Sequence, residues 1–149
     1  MPDSSYGQFA ATGARIEALQ ALLTRSVDAQ AGFDRMEELA KPEAREIVGL
    51  FRATHRRQIA RVADLITELG GTPDKRPGIL GRINRTVVTA RALLARIDGN
   101  VLRSVRHGEE YVLCAFDRAI AISRGTSHGA ELVAMQKELM QLMDRAERV

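Results

Sequence analysis

The sequence predicts an all-α protein, a four-helix bundle with one long crossover, on three observations. Apolar residues recur at three- and four-residue steps in four long stretches. No stretch alternates with a period of two for long enough to make a strand. The breaks between the repeats carry Gly or Pro and come in the order short, long, short, which makes the second and third helices parallel.

After a start of about eleven residues (1–11) expected to be loose, Ile16, Leu19, Leu22, Leu23, Val27, Phe33, Met36 and Leu39 trace a first helix to about Ala40. Lys41-Pro42-Glu43 interrupts the run. Pro42 suits the first turn of a new helix, and Glu43 and Glu46 suit its positive end. The second helix is the clearest feature of the chain. Ile47, Val48, Phe51, Thr54, Ile59, Val62, Leu65, Ile66 and Leu69 line one face with no interior Pro, and Gly70-Gly71-Thr72-Pro73 stops them.

Residues 72–97 read as the crossover, a Gly- and Pro-rich link followed by a short helix with Ile83, Val87, Ala90, Leu94 and Ile97 on its apolar side. The third long helix follows Asp98-Gly99-Asn100, turns Leu102, Val105, Val112, Phe116, Ala119 and Ile120 inward, and ends at Arg124-Gly125. The fourth begins near Ser127, a suitable cap, and carries Leu132, Met135, Leu139, Met140, Leu142 and Met143.

Composition bounds the rest. A chain of 149 residues suits one domain (1–149), since folding at that size buries roughly two-thirds of the surface and needs no staple. The single cysteine, Cys114, cannot form an internal disulfide and is expected to be a small buried hydrophobe. No secretory signal and no run of ~20 apolar residues is visible, so a cytoplasmic setting is expected. The net charge of +3 is uneven, because residues 73–108 hold 8 basic and 2 acidic side chains. Lys75, Arg76, Arg82, Arg85, Arg91, Arg96, Arg103 and Arg106 thus form a candidate basic patch for nucleic acid or an anionic membrane. Aromatic residues are 4% of the chain and none interleaves this run, so base stacking has no platform there.

Three motifs carry a family resemblance: Leu69-Gly70-Gly71-Thr72-Pro73 after the second helix, Arg106-His107-Gly108-Glu109-Glu110 in the third, and Asp28 to Phe33 in the first. On these the chain resembles, from about Leu19 to Asp144, the bacterial ferritin-like four-helix-bundle family of uncharacterised function. The resemblance implies the crossover bundle and lends no activity.

Helical wheels bring Ser26, Gln30, His55, Gln58, Glu109 and Gln136 onto apolar stripes near the middle of their helices, a candidate central polar layer. Functional ferritin-like proteins place a two-metal centre at that level, built from one Glu on each of two helices and Glu-x-x-His on the other two. No Glu in this chain has a His three residues later, and Glu109 is the one carboxylate of the layer. No cofactor is therefore expected. The alternative is a single transition metal on His55 and Glu109, helped by Gln58 or Gln136, in a redox or storage protein.

A buried Glu109 requires partners, expected among His55, Gln58, Gln136 or an arginine. Asp28 falls off the apolar stripe and should face the crossover or solvent. His107 with Glu110 and His128 with Glu131 should make surface pairs. No catalytic residue emerges, since no nucleophile turn or Gly-rich phosphate loop occurs. The expected function is a non-catalytic structural or interaction module, with a homo-oligomer or a protein partner as its mode of action.

Overall fold

The computed structural model describes the backbone of residues 4–78 and 99–148, and their side chains except at Ser4, Glu43 and 99–104. Within it run α1 (Ser4–Leu39), α2 (Pro42–Glu68), α3 (Gly99–Ile122) and α4 (Ser127–Glu147), with no strand among the described residues. The short helix expected in the crossover lies outside the described residues.

Side-chain pairs set the helix directions. Phe51 of α2 stacks on Phe33 of α1 while Ile66 of α2 and Ile16 of α1 both lie against Gly71, and Arg118 and Tyr111 of α3 meet Glu17 and Arg25 of α1, so both helices run antiparallel to α1. Glu46 with Arg145, Arg61 with Glu131 and His128 with Glu68 set α2 antiparallel to α4. Consequently α2 and α3 run parallel on opposite corners, each packed on α1 and α4. The axis is filled by Leu19, Leu22, Leu23, Leu65, Ile66, Phe116, Leu132 and Leu139, all fully buried. Each such side chain contributes about 1.5–3 kcal/mol of apolar transfer.

The ends follow local chemistry. Pro42 opens α2 after an extended Lys41. At its far end Gly70 adopts φ 87°, the amide of Gly71 donates to the Ile66 carbonyl and that of Gly70 to Thr67, which satisfies carbonyls the helix leaves open. Beyond them, 71–78 runs along α1. Gln20 there exchanges two hydrogen bonds of 2.9 Å with the backbone of Asp74, and Asp28 accepts from the Gly78 amide at 2.8 Å.

Several expectations change. Of the expected tail, residues 4–11 belong to α1, and residues 5–11 are exposed. Thr126, not Ser127, caps α4, its hydroxyl oxygen accepting from the Gly129 amide. Cys114 is exposed, since it lies about 200° around α3 from both Val112 and Phe116, which are buried. Leu39 and Met140, assigned inward, are 44% and 49% exposed: Leu39 closes its helix, and Met140 lies about 100° from the buried Leu139.

Candidate functional site

Phe33 and Phe51 stack at 4.6 Å and 5° where α1 meets α2, and Phe33 also stacks on the His55 ring at 5.6 Å. Such pairs add about 0.5–1.5 kcal/mol beyond the area they bury. They also orient the imidazole across the bundle axis. His55 Nε2 lies 2.9 Å from Glu109 Oε1 and 3.1 Å from Oε2, with the two side chains 0% and 1% exposed. A proton on Nε2 would be within reach of both carboxylate oxygens. This link joins the diagonal helices α2 and α3.

Gln58, one turn further along α2, turns away from Glu109. Its amide donates to the Met135 carbonyl at 3.0 Å and to Glu138 at 3.2 Å, tying α2 to α4. Ser26 is buried on α1, at the level that the α1 to α2 and α1 to α3 pairs assign to Gln58 and Glu109. Ser26 Oγ, His55 Nδ1 and Gln58 Oε1 have no hydrogen-bond partner among the described residues.

The expected layer therefore comes together only in part. His55 and Glu109 pair directly, and Gln58 and Ser26 lie beside them without touching the carboxylate. Gln30 is half-buried. Gln136 leaves the layer: its amide donates to Asp117 at 2.7 Å on the surface, because α4 turns that side toward the outer edge of α3. Asp28, placed off the stripe, is 5% exposed and faces the link through Gly78 rather than solvent. His107 sits 3.6 Å from Glu110 as expected of a surface pair. His128 instead reaches Glu68 and Arg15, while Glu131 binds Arg61, so the expected His128 to Glu131 pair is replaced.

The donor set does not fit a two-metal centre. Glu109 directs both oxygens at one imidazole nitrogen, and among the described residues no three His, Cys, Asp or Glu side chains gather as ligands. Hard divalent cations take oxygen ligands in number, and one carboxylate balances too little of their charge.

The basic segment is only partly described. Lys75 is exposed, Arg76 is held by Asp74 at 2.6 Å, and Arg106 pairs with Glu147 at 2.7 Å. Arg76 in turn holds the Asp74 carboxyl down to about 2 through its side-chain hydrogen bond. The side chain of Arg103, and Arg82, Arg85, Arg91 and Arg96 altogether, lie outside the described residues. No helix among the described residues is long and apolar enough to cross a membrane.

A second polar cluster, at the end where α2 finishes and α4 begins, escaped the sequence reading. Arg61 donates to Glu131 at 2.5 and 2.9 Å and to Glu68 at 2.9 Å, while His128 Nε2 lies 2.8 Å from Glu68. Arg61, followed by His128, holds the Glu68 carboxyl below the usual carboxylate range. The available signal was topological: in an antiparallel pair the last turn of one helix must face the first turn of the other.

Residues 14–121 match the family described as Domain of unknown function (DUF2383). No curated protein and no solved structure matches the chain.

Proposed function

The chain belongs to the DUF2383 family, a family of unknown function, and from that premise we propose that it is a non-catalytic structural or interaction module whose central layer is closed by protein groups. The observation that carries this reading is the His55 and Glu109 pair. Both carboxylate oxygens lie within hydrogen-bond distance of one nitrogen, in the place where a two-metal protein of similar architecture needs several carboxylates free for cations. A buried pair of this kind sets helix register more than it adds stability.

Protein purified without chelator and submitted to elemental analysis tests the reading. Substoichiometric iron, manganese and zinc, with an unfolding midpoint that added metal leaves unchanged, is the expected result. A stoichiometric transition metal that disappears in Glu109→Gln would overturn it and install the variant metal protein instead. Sedimentation velocity on the same sample measures whether the module acts by self-association.

A further inference from the structure

We infer that the cluster around His128 is an acid-operated latch on the N-terminal end of α1. His128 is the second residue of α4, two positions after the Thr126 cap and within the first turn. Its Nε2 lies 2.8 Å from Glu68 Oε2, and its Nδ1 lies 3.1 Å from a terminal nitrogen of Arg15. A guanidinium carries donors and no acceptor. Nδ1 must therefore accept from Arg15, and the ring proton sits on Nε2, where it donates to Glu68. Both neighbours together select one neutral tautomer of the one residue type whose ordinary titration falls in the physiological range.

The charges around the ring oppose one another. Arg15 approaches from α1, Glu68 and Arg61 from α2, and Glu131 from α4 itself, with Arg124 exposed in the preceding turn. Arg61 is already shared between Glu131 and Glu68, which leaves Glu68 and Arg15 as the groups in contact with the imidazole. A second proton can enter only at Nδ1. It would face the Arg15 donor with a like charge, while the bond to Glu68 is retained and becomes an ion pair. The contact that must break on acidification is the one to Arg15.

Arg15 stands where α1 leaves the bundle. Ile16, next to it, packs near Gly71 and Ile66, whereas residues 5–11 are exposed and Tyr6 and Phe9 show 82% and 79% of their surface. Releasing Arg15 therefore frees this overhang from α4 without opening the core behind it.

Hydrogen exchange of the full-length protein between about pH 8 and about pH 5, corrected for the intrinsic rate, tests the latch. Val112 to Ala119 in α3 serve as the internal reference for global opening. In the native sequence, protection of the amides of residues 8–15 should fall roughly tenfold or more against that reference, the ratio for one hydrogen bond to a charged group. His128→Gln can still accept from Arg15 and donate to Glu68 but does not titrate, so its profile should be flat. Arg15→Gln removes the like charge and should shrink the fall. Unchanged protection in the native protein, or a fall of equal size in His128→Gln, would overturn the inference.

Discussion

The molecule holds two histidine–glutamate pairs of nearly equal length, 2.9 Å at the centre and 2.8 Å at one end, and their surroundings make them different devices. His55 and Glu109 are buried beside Phe33, and among the described residues each is the other's side-chain hydrogen-bond partner. His128 and Glu68 sit in a partly open mesh with Arg15, Arg61 and Glu131, where several partners can substitute for one another. The number of alternative partners, more than bond length, decides what a pair is worth. The buried pair behaves as an all-or-none structural bond, and the open pair as an adjustable one.

Breaking the central pair should have the largest effect. Glu109→Ala leaves the imidazole buried without its partner and should lower unfolding free energy by about 3–5 kcal/mol in a urea titration. A loss below about 1 kcal/mol would mean the pair is not isolated from water as its burial requires. At the open end the vulnerable group is backbone, not charge. A Cβ on Gly129 would overlap the Ser123 carbonyl oxygen, so Gly129→Ala should cost about 1–3 kcal/mol by the same titration. Tolerance of alanine there would show that the first turn of α4 can shift.

Smaller effects sharpen the contrast. Replacing both His55 and Glu109 by Leu removes the polar requirement together with the pair, so the double variant should lie within about 1–2 kcal/mol of the native protein, far above either single truncation. Additive losses in the cycle would show that the two side chains do not act as a unit. Least of all, Glu68→Gln should change stability little at neutral pH and in high salt. Its signature lies in acid. Arg61 and His128 hold the Glu68 carboxyl below its ordinary range, so its contribution is full above that range and is lost as pH falls through the lowered value. Urea midpoints measured down through that window should fall less steeply in Glu68→Gln, and parallel curves would count against the pair.

What was legible beforehand was everything that one helix reports about itself. The spacing from Ile47 to Leu69, the stop at Gly70-Gly71 and the Gly-bearing end of α3 state which residues are helical and which face each helix buries, because these follow from the 3.6-residue period and from backbone chemistry a few residues long. His55, Gln58 and Glu109 were recognisable as polar residues on apolar stripes for the same reason. Cys114 was misplaced inward although the period already separates it by about 200° from Val112, a reading of residue type over angle.

Tertiary structure alone decided which of those stripes meet. Glu109 binds His55 and not Gln58 or Gln136, because the diagonal placement of α2 and α3 and the Phe33 stack aim one imidazole across the axis, while Gln58 and Gln136 are drawn to neighbours on α4 and α3. Asp28 is buried only because the link after α2 runs back along α1 and presents the Gly78 amide to it. Arg15 and His128, 113 positions apart, meet only because α2 and α3 hold α1 and α4 at matching heights. A helical period measures angles about one axis, and contacts between axes depend on the packing of all four.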